Sequence, residues 1–111
     1  MATYFARATG NINGAIWATT PTGTGSTQTF TNSDILVANN FTITVNVNTT
    51  VQQVCNDTTG GATNGGAFTM NANITLTANV TTSTGQCINF NNGTSGQTCY
   101  IVGNIYGPVS Y

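Results

Sequence analysis

The sequence predicts an all-β protein, and three observations carry that expectation. Apolar and polar residues alternate at period two, as in 41–54, FTITVNVNTTVQQV. There Phe41, Ile43, Val45 and Val47 fall on one side of an extended chain, and Thr42, Thr44, Asn46 and Asn48 on the other. Threonine, a good strand former, supplies 24 of the 111 residues, and asparagine, which suits turns and stacked side-chain ladders, supplies 16. No stretch holds apolar residues at helical spacing between caps, and no apolar run approaches bilayer-spanning length.

A chain of 111 residues suits one domain and buries roughly 60–70 % of its unfolded surface, enough for a modest core. Residues 1–30 read as an N-terminal arm or cap, with a strand at 3–8, a Trp-bearing stretch at 15–19 and a Gly/Ser/Thr loop at 21–28. Residues 31–111 read as the β-domain proper. Its apolar segments fall at 35–38, 41–47, 51–56, 67–70, 74–80, 87–90 and 99–106, with Asn, Gly, Thr and Ser between them. Many short strands so closely spaced suit a sandwich, a barrel or a solenoid.

Internal repeats favour the solenoid. Laying 42–56, TITVNVNTTVQQVCN, over 75–89, TLTANVTTSTGQCIN, gives seven identities in fifteen at an offset of 33. It matches Thr42 with Thr75, Asn46 with Asn79, Ile43 with Leu76 and Val45 with Ala78. A weaker copy follows 25 residues later: Ile101 under Leu76, Gly103 under Ala78, Asn104 under Asn79 and Ile105 under Val80. Such spacings suit successive coils of a short parallel β-solenoid-like domain. The alternative is an antiparallel β-sandwich or jelly roll, whose hairpins would turn at Asn64-Gly65 and Asn92-Gly93.

Charge is nearly absent: Arg7, Asp34 and Asp57 are the only charged side chains, with no His, Lys or Glu. One Arg cannot displace the counterions of a nucleic acid, so no nucleic-acid partner is expected. A nucleophile would lack a His or Lys base, and Cys55, Cys87 and Cys99 form no close pair for zinc. Asp34 and Asp57 could form a two-carboxylate glycosidase pair, but TNSD and NDTTGG read as turns. No enzyme activity, metal or cofactor is expected. No membrane partner is expected either, and the N-terminus lacks the charged and apolar regions of a secretory signal.

Cys87 and Cys99 could bridge a short loop in an oxidising setting, but three buried thiols on strands is the expectation without a leader. Six N-x-S/T sequons begin at Asn40, Asn48, Asn56, Asn73, Asn79 and Asn92, hardly more than the roughly four that chance gives in so Asn- and Thr-rich a chain. Trp17 is expected in the core. Arg7 has Asp34, Asp57 or a partner's carboxylate as candidate counter-charges.

Soluble proteins usually guard strand edges and exposed sheet faces with charge, Lys above all. Here the outward set is Thr and Asn, a composition that self-associates if left bare. Neutral polar side chains bond across an interface without the desolvation cost of buried ions. An assembly surface is therefore expected; the alternative is a lineage whose external proteins all carry few charges, which would give this composition without an interface.

The stretches MATYFAR-TGNINGAIWATTPTG, SDILVANNFTITVNVNTTVQQVCN and FTMNANITLTANV resemble the N-terminal region of β-solenoid structural proteins of tailed bacteriophages. The likeness is one of pattern, chiefly over 1–55 and 67–80. It implies a non-enzymatic virion protein, assembled in the host cytoplasm and carried on the virion surface. The implied form is a homotrimeric capsid decoration (cement) protein bound to the major capsid protein. A tail or head fibre, a receptor-binding adhesin domain and an extracellular filament subunit are the alternatives. The expected interface residues are Tyr4, Phe5, Asn46, Asn79, Asn104, Tyr106 and Tyr111. The family's fibres run through many more coils than this chain holds, which favours decoration and leaves a fibre attachment domain as the alternative.

Overall fold

The computed structural model describes residues 2–23, 28–55, 66–81, 88–89, 98–106 and 109–110. Within them the chain forms strands and turns and no helix. In chain order the strands are β1 (Thr3–Ala6), β2 (Gly10–Asn11), β3 (Trp17–Ala18), β4 (Ile35–Val37), β5 (Thr42–Val45) and β6 (Thr49–Cys55). They continue as β7 (Ala67–Met70), β8 (Thr75–Thr81), β9 (Ile88–Asn89), β10 (Tyr100–Val102), β11 (Ile105–Tyr106) and β12 (Val109–Ser110).

The strands form two sheets. The first runs β10-β8-β6-β4-β1-β3, with β11 also on β8, and the second runs β12-β9-β7-β5-β2. From β4 to β10 the chain changes sheet at every step. Every neighbouring pair is parallel except β1 with β3. Parallel neighbours need a long crossover, and here a strand of the opposite sheet supplies it. The strands flanking Asn64-Gly65, β6 and β7, therefore lie in different sheets, as do β9 and β10 around Asn92-Gly93. Both dipeptides lie outside the described residues.

Period-two alternation decides which side chains meet between the sheets. One column of the first sheet stacks Tyr4, Leu36, Val54, Val80 and Ile105. In the second, Ile43, Phe68 and Ile88 stack in the same way. All of these except the two end residues, Tyr4 and Ile105, are essentially inaccessible to solvent. Trp17 joins them as expected. Its ring lies 6.5 Å from Phe68 and nearly parallel to it, meets Phe30 edge-on at 6.3 Å, and donates Nε1–H to the Ile12 carbonyl at 2.9 Å. Residues 1–30, read as an arm or cap, thus place Ala6, Ile12, Ile16 and Trp17 in the core and give β1, β2 and β3 to the two sheets.

The corners use residues that tolerate a left-handed backbone. Between β4 and β5, Asn39 and Asn40 have φ of 55° and 71°, and Phe41 N–H bonds the Ala38 carbonyl at 3.0 Å, which makes a tight turn with both central residues left-handed. Gly66, at φ 78°, lies against Phe41, where a Cβ would overlap the Phe41 backbone.

The repeat of 25 residues is present as expected: Ile101 pairs with Leu76 and Ile105 with Val80. The offset of 33 between 42–56 and 75–89 is not. β5 lies in the second sheet and β8 in the first, so Thr42 does not meet Thr75, nor Ile43 Leu76. The sheet neighbour of β8 is β6, at offsets of 27 and then 26, separated by a register shift between Thr50 and Gln53. The offset of 33 occurs one crossover earlier, where Gly10 pairs with Ile43 and Asn11 with Thr44. Threonine-rich strands of the two sheets look alike because both bury one face and expose the other, which is why the alignment crossed between them.

Candidate functional site

Two kinds of surface are candidates: the outward sheet faces, and the two ends where the sheets stop. Neither outward face carries a charged side chain among the strand residues. In the second sheet Thr9 Oγ1 accepts Thr42 N–H at 3.3 Å, and Asn46 Nδ2 donates to Asn13 Oδ1 at 3.1 Å, each pair 33 residues apart. In the first sheet Gln53 Nε2 donates to Thr81 Oγ1 at 2.6 Å, and Asn79 Oδ1 accepts Asn104 N–H at 3.2 Å. These short-range bonds let neutral polar groups line a sheet without leaving donors bare.

The expected interface residues separate on this frame. Asn79 and Asn104 meet, but Asn46 belongs with Asn13 in the other sheet, so the three do not form one row. Tyr4 is half-buried and packs on the core, and Phe5, also half-buried, points outward beside Ala18 and Val37. Tyr106 is exposed. Tyr111 lies outside the described residues. So do Asp57 and Cys87, and with them any Asp34–Asp57 pair or Cys87–Cys99 bridge.

Asp34 closes a turn. Its two carboxylate oxygens accept Thr31 N–H and Ala2 N–H, each at 2.8 Å, and the side chain is 5 % exposed. The Thr31 bond first, then the Ala2 bond, lowers its pKa below the ordinary aspartate range. Arg7 does not reach it. The guanidinium donates instead to the Pro21 carbonyl and, at 2.8 Å, to the Gly23 carbonyl. Cys55 is buried with its Sγ 3.8 Å from the Leu36 carbonyl, and Cys99 is half-buried, a setting that raises its thiol pKa. No group of three metal-ligating side chains occurs among the described residues.

The two ends differ. At the N-terminal end, β3 is covered: Trp17 and Ala18 are buried, and Gln28 N–H bonds the Trp17 carbonyl at 3.2 Å. Asn39 Nδ2 donates to the Ala6 and Pro21 carbonyls at 2.9 and 3.0 Å, so it and Arg7 fasten Pro21 and Gly23 to the β1 side of this end. Beside it lies a cleft of about 170 Å³ lined by Ile12, Asn13, Trp17, Gln28 and Phe30 among others.

At the C-terminal end, β10 and β11 continue the first sheet beyond β8 and expose Tyr100, Val102, Ile105 and Tyr106 by 54, 55, 42 and 57 %. Between the two strands, Gly103 adopts φ 149° against Ala78, where a Cβ would overlap the Ala78 carbonyl. Sequence reasoning had the Gly103–Ala78 match but missed the fastened cap, whose partners are main-chain carbonyls that carry no sequence signal.

Comparison with protein-family models, curated proteins and solved structures returns no match.

Proposed function

We propose that the chain is a non-enzymatic virion structural protein, built as a short parallel β-solenoid and acting by assembly on the outside of a phage capsid. The parallel pairing, the alternation between sheets and the stacked columns support the solenoid reading over the sandwich. The absence of charge on the sheet faces supports assembly, because it leaves area and hydrogen bonding as the means of contact. The observation that carries the reading is the exposed apolar edge at β10 and β11, a patch of the kind that marks an interaction surface.

Partners on this reading are further copies of the chain and the major capsid protein. The fastened N-terminal end counts against an open head-to-tail filament. The adhesin alternative would place a neutral sugar in the cleft beside Phe30. That cleft is smaller than the roughly 300–1,000 Å³ of ordinary ligand pockets, and Trp17 is 1 % exposed, with no ring face to offer.

The test is gold-labelled antibody against the purified chain, applied to phage particles from the culture that carries its gene. Label over the head supports decoration. Label at the tail or on fibres replaces decoration with the fibre reading. Particles without label remove the virion reading.

A further inference from the structure

The column Leu36, Val54, Val80, Ile105 runs through the core of the first sheet, with exposures of 0, 0, 1 and 42 %. Ile105 ends the core column, and among the described residues no strand follows it on the side away from Val80. Beside it, Tyr100 and Val102 stand on the outward side of β10, and Tyr106 continues the column of Val37, Cys55 and Thr81, in which Val37 and Cys55 are buried and Thr81 half-buried. Together the four side chains expose about 400 Å² of largely apolar surface, if a large side chain presents roughly 200 Å² in full. The same two strands hydrogen-bond along one edge only among the described residues, since β8 is their sole sheet neighbour. An apolar patch on an open strand edge is the arrangement that draws another strand.

We infer that this edge is where two copies of the chain join, β10 and β11 of one against β10 and β11 of the other about a twofold axis. The inference deepens the assembly reading above and rests on it. Four features select a second copy in this arrangement. A twofold axis sets the two edges antiparallel, so that identical rows of N–H and C=O groups complement one another. Residues 98–106 hold no charged side chain, so bringing two identical edges together opposes no like charges. At the N-terminal edge of the first sheet Trp17 and Ala18 are buried and the Trp17 carbonyl is occupied, which counts against the head-to-tail alternative. Two such patches with their backbone edges approach the roughly 1,200 Å² at which specific interfaces begin, so the pair is a modest one that dissociates on dilution. The arrangement is twofold, unlike the threefold that the phage resemblance implies.

The experiment is sedimentation velocity on the full chain across a hundredfold range of concentration, with the variants Val102→Lys and Tyr106→Lys at the edge and Thr42→Lys on the exposed face of the second sheet. Circular dichroism establishes that each is folded. The expected result is a monomer–dimer equilibrium at multiples of 11.5 kDa, weakened at least tenfold by either edge variant and unchanged by Thr42→Lys. Either lysine would put a charge on an edge that otherwise holds none, so either variant that folds is informative. A trimer that survives both edge variants would overturn the twofold edge while leaving the assembly reading in place. A monomer throughout would overturn it too, and the virion reading would then stand or fall on the antibody labelling alone. Open-ended fibres would overturn it by showing that the N-terminal end also pairs.

Discussion

The side-chain oxygen of Asn79 accepts the backbone N–H of Asn104 at 3.2 Å, just where β10 gives way to β11. The return bond is Val80 N–H to the Asn104 carbonyl at 2.8 Å. Between the strands, Gly103 at φ 149° lets the chain step over the Ala78 carbonyl and resume its register on β8. The end of the first sheet is therefore set by one glycine and one asparagine rather than by a continuous ladder.

Gly103→Ala should break this step. An alanine would have to hold a disfavoured backbone conformation and push its Cβ into a main-chain carbonyl, which cannot yield as a side chain would. A loss of at least ~2 kcal/mol is expected, or a thermal midpoint lower by about 8 °C or more. Asn79→Ala removes only a partly solvated acceptor and should cost about 1 kcal/mol. Equal midpoints for the two variants would mean that β11 detaches without disturbing the rest.

Asn39 combines a left-handed backbone with two side-chain bonds, so substitution can separate the two contributions. Asn39→Gly keeps the backbone and loses the bonds to the Ala6 and Pro21 carbonyls, while Asn39→Ala loses both. The glycine variant should be destabilised by about 1–2 kcal/mol and the alanine variant by roughly 1 kcal/mol more. Both should speed proteolysis within 19–23, because the fastening of Pro21 and Gly23 then falls to Arg7. Cleavage rates equal to the parent's would show that Arg7 alone suffices.

The single tryptophan reports on the capped end. Trp17 is 1 % exposed and packs on Phe68, so its emission should be blue-shifted and poorly quenched by acrylamide. Trp17→Phe retains a ring but leaves the buried Ile12 carbonyl without its donor, with an expected loss of about 2–3 kcal/mol. A red-shifted, readily quenched emission from the parent chain would contradict the packing described.

How much of this was readable beforehand depends on which force set each feature. Strand positions followed from alternation: 67–70 was placed to the residue, and β4, β5, β6 and β8 to within about two residues at each end. Trp17 in the core followed from its size. β2 was missed because Gly10–Asn11 holds no apolar residue, and its place is fixed by pairing with β5 rather than by any preference of its own. The shared Asn46/Asn79/Asn104 row failed for a related reason. Neutral Thr/Asn faces of different sheets carry the same residues, and only the crossovers tell them apart. Gly103 was placed over Ala78 because the Asn104–Asn79 match and the aliphatic residues beside it set the offset of 25. The unequal ends were not readable, since they arise from carbonyls fastened at one end and a core column left open at the other.

Among the described residues, one carboxylate should make stability depend on pH. Asp34 has its pKa lowered in the folded chain by the Thr31 and Ala2 N–H bonds, so its ionised form is favoured by folding. A depressed folded pKa contributes stability that is fully present above the unfolded value of about 3.9 and is lost as pH falls through the folded value. The chain has no His, and thiol ionisation falls at higher pH, so the thermal midpoint should move by no more than a few degrees between about pH 5 and 8 and decline below about pH 4. Asp34→Asn tests the assignment. Its amide keeps one acceptor where the carboxylate had two, so the variant should be less stable at neutral pH and should lose most of the acid decline. The gap between variant and parent should then close as pH falls below 4, whereas parallel curves would show that the acid response comes from other groups.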